Sequence, residues 1–426
     1  MSAFDRIIGY ETIKTELIQI CDMIHNGEEY EKLGAKLPQG LLLYGDPGLG
    51  KTLMAKSFVE ESGLKSYVVR RNKGSDDFIG NITAVFDDAK EHAPSIVFLD
   101  DMDKFANEDS NHPDAEEYVA VQAGIDDVKE CGVFVLATAN DIDKLPASLL
   151  RSGRFDRRIE VQCPTDRDAK EIIAYYLSGK KVSSAVDMED LSRMISYSSC
   201  AELETILNEA AINAAFERKD SIEMEDLVKS VLRMQYEAPD NYSKTSDDEM
   251  RKTALHEAGH LVVCEVLEPG SVGLASIRSS GRSSTGGFIH RCKVFNRRPY
   301  YTLVDLAGKA AVELYYADTC ASGCISDIEH AFKLIRDGHS ENATLGFGLV
   351  DVATFRFRDT SESLNSRSEA VTQAEMERYM LKTKDILLKN RDFLEKATDA
   401  LMEKETLLYS DIRRIRESTV ITEIAV

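Results

Sequence analysis

The spacing of hydrophobic and polar positions changes along the chain. Up to about residue 160, short apolar runs alternate with stretches in which apolar residues recur every three or four positions. The apolar runs lie at residues 40–44, 66–70, 95–99 and 132–137, and helical spacing is found at residues 52–62 and 81–92. Uninterrupted apolar runs are typical of strands buried on both faces of a parallel sheet. Residues 1–163 are therefore predicted to form a doubly wound α/β domain.

The remaining residues have mainly helical patterns. Residues 164–236 carry Ala, Leu, Ile and Glu at helical intervals, which predicts a small helical lid domain. Residues 237–248 combine proline, asparagine and serine with acidic residues, as linkers do. Residues 249–426 open with a predicted helix at 249–266. A Gly/Ser-rich, β-like stretch at 270–295 follows, and the rest is mostly helical. This last part is predicted to be a mainly α-helical domain.

Composition and charge narrow the classes of partner. The chain has 426 residues, of which 43% are hydrophobic and 30% charged, as in folded globular proteins. The formal net charge of −22 argues against nucleic acid as the main partner, because an acidic surface repels phosphate backbones. No run of 18 residues is both apolar and uncharged, so no membrane-spanning segment is predicted. Scattered cysteines and the lack of a signal peptide indicate a cytoplasmic protein, or a membrane-anchored one if an N-terminal segment was removed.

A glycine-rich segment follows the first predicted strand. It reads Gly45-Asp46-Pro47-Gly48-Leu49-Gly50-Lys51-Thr52, then Leu53, and fits the pattern G-x-x-x-x-G-K-[ST]. Glycines let backbone N–H groups surround a phosphate, and the positive end of the following helix adds to the attraction. Lys51 is predicted to reach the β- and γ-phosphates of ATP, and Thr52 to hold Mg²⁺.

Two carboxylates follow a later apolar run. Asp100 and Asp101 come directly after the strand predicted at residues 95–99. The carboxyl ends of parallel strands border the crevice where nucleotides bind. Asp100 is predicted to coordinate Mg²⁺ through water, and Asp101 to polarise the attacking water. A solvated acidic turn is the alternative for this pair.

A second candidate site lies in the helix predicted at residues 249–266. His256 and His260 are four positions apart in His256-Glu257-Ala258-Gly259-His260, so both imidazoles can bind one Zn²⁺. Glu257 is placed to take a proton from the reacting water and to pass it to the leaving amine. A catalytic zinc needs a third protein ligand. Spacing leaves four candidates open: Glu313, Asp327, His290 and His330.

The first half of the chain resembles the AAA+ ATPases. The resemblance rests on the phosphate loop, on the pair of aspartates, on the segment 137–140 and on the segment 151–157, which reads Arg-Ser-Gly-Arg-Phe-Asp-Arg. It implies that Asn140 positions the lytic water, and that Arg151 and Arg154 reach the γ-phosphate bound by a neighbouring subunit. It also implies that Ile8 and Gly9 form a wall of the adenine pocket. Arginines that act in trans require an oligomeric ring.

From residue 4 to about residue 416 the chain resembles the FtsH family of membrane-associated, ATP-dependent zinc proteases. Residues 306–314 resemble the family's Gly-Arg-Ala-Ala-Glu-Glu segment, and residues 321–328 its Gly-Ala-Ser-Asn-Asp-Ile segment. The resemblance implies that Asp327 is the third zinc ligand, with Glu313 near the site or as its alternative. It also implies that residues 249–426 form a zinc metalloprotease domain.

The resemblance also implies a way in which the two sites cooperate. Phe78 stands where the family has its aromatic pore-loop residue, which would grip a polypeptide inside a homo-hexameric ring. Packing of Phe78 against the next helix is the alternative. Residues 286–290 are predicted to form a strand edge that aligns an extended substrate.

The expected function is ATP-driven threading of polypeptides followed by cleavage at zinc. Two alternatives are weighed beside it. One is a remodelling chaperone with a degenerate metal domain. The other is a scaffold with a dead nucleotide site, and it rests on Asp101, which is an aspartate where the family has glutamate.

Overall fold

A computed structural model describes residues 2–71, 77–106, 115–238, 246–281, 286–316, 324–341 and 362–424. The chain forms two compact units. The first comprises Met1–Lys180 and Tyr197–Asn208, and the second comprises Lys181–Ser196 and Glu209–Val426. The division into four parts that the sequence suggests stays a prediction. Most of the predicted linker lies outside the described residues.

The first unit alternates strands and helices. Its strands are β1 (Gly40–Tyr44), β2 (Lys65–Val69), β3 (Ser95–Leu99), β4 (Val133–Ala139) and β5 (Arg157–Glu160). Its helices are α1 (Glu11–His25), α2 (Gly27–Glu31), α3 (Lys51–Ser62), α4 (Phe78–Glu91), α5 (Ala115–Asp127) and α6 (Asp166–Ser178), with short 3₁₀ helices at Ala3–Arg6 and Met102–Lys104. The predicted α/β alternation is confirmed, and β5 is an additional strand that the sequence pattern did not indicate.

The strands of the first unit form one parallel sheet in the order β2–β3–β4–β1–β5. The strands β1, β3 and β4 are almost completely buried, as expected for a sheet covered on both faces. Since β4 lies between β1 and β3, the carboxyl end of β4 separates the phosphate loop from the two aspartates. This order brings three of the predicted nucleotide-binding segments to one edge of the sheet.

Four helices lie in the region predicted as a lid. They are α6, given above, α7 (Met188–Met194), α8 (Cys200–Phe216) and α9 (Met224–Tyr236). The residues of α8 up to Asn208 belong to the first unit, whereas α7 and α9 belong to the second. The helical prediction for this region is confirmed.

The second unit is mainly helical. Its further helices are α10 (Asp247–Leu267), α11 (Arg298–Asp305), α12 (Ala307–Tyr315), α13 (Ile325–Glu341), α14 (Glu362–Lys389), α15 (Arg391–Lys404) and α16 (Tyr409–Glu417). A small antiparallel sheet has the order β7–β6–β8, with β6 at Val272–Ser276, β7 at Phe288–Arg291 and β8 at Thr406–Leu408. β8 lies in a part of the chain that the sequence predicted to be helical.

The helix α10 forms the centre of the second unit. It begins after Ser246, whose side chain accepts a hydrogen bond from the backbone N–H of Glu249, and acidic residues fill its first turn. Both features stabilise a helix N-terminus. From Ala254 onward nearly every residue is buried, because α12, α15 and the small sheet pack around α10. None of the helices in the described ranges is both long and apolar enough to cross a lipid bilayer.

Candidate nucleotide site and metal centre

The phosphate loop turns sharply between β1 and α3. Gly45 has a φ of 137°, and a Cβ atom there would lie 2.1 Å from the carbonyl oxygen of Val161, so only glycine fits. Lys51 is buried, and its ammonium group donates hydrogen bonds to the carbonyl oxygens of Gly45 and Asp46, at 2.6 and 2.7 Å. Burial lowers the pKa of Lys51, and nearby aspartates act in the opposite direction. The loop thus holds the buried ammonium group of Lys51 at the start of α3.

Asp100 and Thr52 meet at the edge of the sheet. The buried Asp100 carboxylate accepts hydrogen bonds from the hydroxyl groups of Thr52, at 3.1 Å, and Thr138, at 2.9 Å. Carboxylate and hydroxyl oxygens are the ligands that Mg²⁺ prefers. The pair predicted from the sequence to serve magnesium is therefore brought together, with Thr138 on β4 as a support that the sequence did not reveal.

Asp101 and Asn140 lie beside the phosphate loop. Asp101 has a left-handed backbone, with φ 55° and ψ 49°, and its carboxylate contacts the ammonium group of Lys104 at 2.6 Å. The backbone N–H of Asn140 donates to a carboxylate oxygen of Asp103 at 3.0 Å. Asp101 and Asn140 both line the cavity that also borders Lys51.

That cavity has a volume of about 720 Å³ and lies within the first unit. Loop residues Pro47 to Leu53 line it on one side, and Ile8 lines it as predicted. Gly9 is not part of the lining. It has a φ of 70°, and a Cβ atom there would lie 2.9 Å from Asp168, so Gly9 lets the N-terminal segment pack closely. Sequence reasoning missed Tyr10, Tyr175 and Tyr176, which also line the cavity, because no local pattern marks them.

The two predicted arginine fingers have different surroundings. The Arg154 guanidinium group donates to both carboxylate oxygens of Asp126, at 3.1 and 2.7 Å, and to the carbonyl oxygen of Ser148. These hydrogen bonds lower the pKa of Asp126 to about 2, although burial opposes the change. Arg151 is exposed.

Phe78 begins α4 and is buried. Its ring meets that of Phe105 edge-on, with 5.4 Å between the ring centres. Asp77 caps the helix by accepting a hydrogen bond from the backbone N–H of Gly80. This placement is the one expected from packing against the next helix, and the threading role stays a prediction.

The second site gathers side chains from α10 and α13. The Nε2 atoms of His256 and His260 are 3.0 Å apart, and Oδ2 of Asp327 lies 3.3 and 3.4 Å from them. Among the residues that the structure describes, no other three His, Cys, Asp or Glu side chains converge closely enough to share a metal ion. Although burial opposes the change, the two imidazoles lower the pKa of Asp327. Two nitrogens and one oxygen are a donor set that fits Zn²⁺.

The remaining candidates for a third ligand have other partners. Glu313 forms ion pairs with Lys309, at 3.0 Å, and with Lys384, at 2.6 Å. His290 is hydrogen-bonded to the hydroxyl groups of Ser196 and Tyr236, and His330 to the carboxylate of Asp305. The structure thus brings Asp327 to the two histidines and holds the other three elsewhere. Residues 321–323, which open the segment singled out from the sequence, lie outside the described residues.

Backbone groups orient the two imidazoles. Nδ1 of His260 lies 2.7 Å from the carbonyl oxygen of Val304, an acceptor that fixes the proton on Nδ1 and leaves Nε2 free as a ligand. Gly308 on α12 lies against the ring of His256, where a Cβ atom would be 2.3 Å from Cε1. Gly259 allows this close packing, because a Cβ atom there would lie 2.5 Å from the carbonyl oxygen of Ala307.

Glu257 is 4% exposed and lies beside the two histidines. Burial raises its pKa, and His256 and His260 act in the opposite direction. Gly287 presses against it, since a Cβ atom there would lie 2.7 Å from Cγ of Glu257. Gly287 directly precedes β7, which forms an edge of the small sheet. A carboxylate with a raised pKa beside a metal-type donor set is suited to proton transfer.

Known proteins are similar to both the nucleotide-binding part and the metal-centre part of this chain. Residues 41–163 match the family model of the ATPase family associated with various cellular activities (AAA). The chain is 31% identical to the ATP-dependent zinc metalloprotease FtsH of Caldicellulosiruptor bescii, over 97% of this chain and 71% of that protein. The same figures hold for FtsH 3 of Symbiobacterium thermophilum.

An FtsH from Leptotrichia buccalis is also 31% identical over 97% of this chain, and the chain spans 56% of it. The likeness therefore extends over both units of the structure and is not confined to the ATPase part. The chain belongs to the FtsH family.

Proposed function

We propose that the protein is an ATP-dependent zinc metalloprotease. The observation that carries the proposal is the convergence of His256, His260 and Asp327, with ligand atoms within 4.8 Å of one another, beside the buried Glu257. The same chain carries a phosphate loop that leads into α3, whose first residue is the buried Lys51. The relatives named above are called ATP-dependent zinc metalloproteases, which supports the assignment.

The residues of the metal centre have different roles in the proposed reaction. His256, His260 and Asp327 would hold Zn²⁺, which when bound acidifies water and polarises a carbonyl group. Glu257 takes the proton of the attacking water and delivers it to the leaving amine as the C–N bond breaks. Burial raises the pKa of Glu257, which favours uptake and delivery of a proton by this carboxyl group. The edge strand β7 can align an extended substrate by backbone hydrogen bonds.

The nucleotide site would drive substrate delivery. Lys51 and the loop N–H groups bind the phosphates of ATP, Thr52 and Asp100 serve Mg²⁺, and Asp101 and Asn140 position the water. In the finer form of the proposal, six copies form a ring, the exposed Arg151 reaches the neighbouring site, and Phe78 swings out to grip the polypeptide.

Degradation of casein tests the proposal. The protein is incubated with casein in the presence and absence of ATP, and with and without a zinc chelator, and bound metal is measured in the same preparation. Zinc at about one ion per chain, and degradation that requires both ATP and zinc, would support it. ATP hydrolysis without bound zinc or proteolysis would favour the remodelling chaperone. Absence of ATP hydrolysis would favour the scaffold.

Two variants, one at each site, test the metal centre and the nucleotide site independently. Glu257→Gln should lose degradation and keep zinc and ATP hydrolysis, whereas Lys51→Ala should lose ATP hydrolysis and keep zinc. Cleavage of short unstructured peptides should survive in the Lys51 variant, because a peptide that needs no unfolding can reach the metal centre without ATP.

A further inference from the structure

His290 lies in β7, and the metal centre described above does not use it. Nε2 of its ring lies 2.9 Å from the hydroxyl oxygen of Ser196, and Nδ1 lies 2.6 Å from that of Tyr236. Burial lowers the pKa of His290 to about 4, and Arg291 acts in the same direction. The ring is therefore neutral near pH 7, with one nitrogen that donates a hydrogen bond and one that accepts. Since a hydroxyl group can do either, both contacts are satisfied at once.

The two hydroxyl groups come from the ends of two different helices. Ser196 follows α7 by two residues, and Tyr236 is the last residue of α9. The ring of Tyr236 also stacks on that of Phe288, with 4.1 Å between the ring centres and 15° between the ring planes. Phe288 and His290 are two positions apart in a strand, so their side chains lie on the same face of the small sheet. That face of β7 is thus attached to two helix ends.

The pairing of β7 with β6 is irregular at His290. Leu274 pairs with His290, and Val272 pairs with Arg291. Gly273 is left as an additional residue on β6. Such a bulge disrupts the ladder locally and bends a strand. The backbone pairing therefore fixes this part of β7 less well than a regular ladder would, and the side-chain hydrogen bonds of His290 supply a further constraint at the same place.

β7 lies directly beside the proposed proton carrier of the metal centre. Gly287, which precedes β7, is so close to Glu257 that a Cβ atom there would lie 2.7 Å from Cγ of Glu257. Among the residues that the structure describes, β7 pairs with β6 alone, which leaves its other edge open to an extended substrate. A substrate paired with this edge takes its position from β7. Misplacing the reacting groups by about 1 Å can lower a rate about 10²-fold.

We propose that His290 is a positioning residue of the peptidase reaction, which holds the substrate-aligning strand β7 beside Glu257 through its hydrogen bonds to Ser196 and Tyr236. His290 touches neither substrate nor metal and transfers no proton. It acts through β7, whose backbone N–H and C=O groups bind the substrate. The inference rests on the proposed protease function, and within that function it concerns extended substrates.

Cleavage of two fluorogenic peptides, one long and one short, tests this role. A peptide of about eight residues spans the whole of β7 at about 3.3 Å per residue, whereas a blocked dipeptide pairs with little of it. We expect the parent protein to prefer the long peptide, and His290→Ala to lower kcat/KM for that peptide about 10 to 100-fold. Cleavage of the short peptide should be nearly unchanged, because it depends on Glu257 and the metal ligands and not on β7.

Milder variants test the individual hydrogen bonds. Tyr236→Phe keeps the ring stack on Phe288 and removes only the hydroxyl group, and Ser196→Ala removes the other partner. Each should lower kcat/KM for the long peptide about 2 to 10-fold, the usual contribution of one hydrogen bond. In a His290→Ala background neither change should have a further effect, because the common partner is already gone. His290→Gln, whose amide can reach one hydroxyl group, should recover part of the loss.

Tyr315→Phe is the matched control, because it also removes a hydroxyl hydrogen bond, to Glu395, but from α12. It should behave as the parent. Bound zinc, ATP hydrolysis and the affinity for a simple hydroxamate, which binds metal alone, should be unchanged in all variants. A role confined to stability would instead lower the cleavage of both peptides in proportion to the unfolded fraction, which thermal unfolding measures.

The failure of this inference is distinct from failure of the proposed function. If the parent protein binds zinc and cleaves both peptides, and His290→Ala and Tyr236→Phe keep its preference for the long one, the inference is refuted and the protease assignment stands. Equal losses for both peptides, or loss of zinc, would also refute it, because His290 would then support the fold or the ligands. A parent protein without preference for the long peptide would show that β7 does not align substrates. If the parent protein binds no zinc and cleaves neither peptide, the protease function itself is wrong.

Discussion

The close contact between Gly308 and His256 gives a sharp test of the metal centre. A Cβ atom at position 308 would lie 2.3 Å from Cε1 and 2.5 Å from both ring nitrogens of His256. Non-bonded carbon atoms normally stay about 3.5 to 4.0 Å apart. The substitution Gly308→Ala therefore forces the ring to move by more than about 1 Å, whereas metal–ligand distances tolerate about 0.2 Å.

The magnitude follows from this displacement. Mutations of groups that only orient a ligand typically reduce metal affinity about 10 to 100-fold, so Gly308→Ala should reach at least that range. Overpacking should add a loss of about 1 to 3 kcal/mol in stability. Helix propensity acts in the opposite direction, since Ala is favoured over Gly by up to about 1 kcal/mol within a helix. A loss of zinc affinity in Gly308→Ala would thus result from the steric clash with His256, because the higher helix propensity of Ala acts in the opposite direction.

Competition with a chromophoric chelator measures the zinc dissociation constant, and thermal unfolding measures stability. Gly27→Ala is the matched control, because Gly27 lies in a short helix and nothing approaches its Cβ position within 4 Å. The control should retain parental zinc affinity, and both variants should retain ATP hydrolysis. If Gly308→Ala binds zinc as tightly as the parent, the ring of His256 is not confined by α12 and the described geometry of the ligand is wrong.

The remaining predictions concern single side chains. Glu257→Gln should lower peptide cleavage by about 10² to 10⁴-fold with zinc retained, and substantial cleavage in kinetic assays would remove its role in proton transfer. Asp327→Ala should lose zinc in metal analysis, whereas Glu313→Ala, which breaks two lysine contacts, should keep it, and the reverse order would make Glu313 the ligand. Arg151→Ala should abolish ATP hydrolysis and regain it in mixed rings with subunits whose phosphate loop is defective. Arg154→Ala should lose hydrolysis together with thermal stability, which calorimetry would show.

The sequence predicts best those sites whose residues lie only a few positions apart along the chain. The phosphate loop follows its strand directly, and His256 and His260 share a helix face because they are four residues apart. Both patterns therefore specify a site without knowledge of the tertiary fold. The parallel sheet was also predictable, because its buried strands are continuous apolar runs.

Features that depend on contacts between distant segments could not be predicted in the same way. Spacing left Glu313, Asp327, His290 and His330 open as the third ligand, and it was the resemblance that favoured Asp327. Gly308 and Gly287 looked like ordinary glycines, although each allows the backbone to approach a reactive side chain. β8 has only three residues and pairs with β6 from far along the chain, so no local alternation marks it.

The arginine pair shows how the structure separates residues that the sequence treats as equal. Arg154 is 14% exposed on its side chain and is held by the carboxylate of Asp126, and hydrogen bonds to charged groups contribute about 1.5 to 3 kcal/mol each. Asp126 is itself 36% exposed, so solvent screening reduces this value. To reach a phosphate on a neighbouring subunit, Arg154 would have to give up this pair, whereas Arg151 has no comparable cost because it already faces solvent. The geometry therefore favours Arg151 for the proposed contact across a subunit boundary, and Arg154 as the residue that fixes the segment from which Arg151 extends.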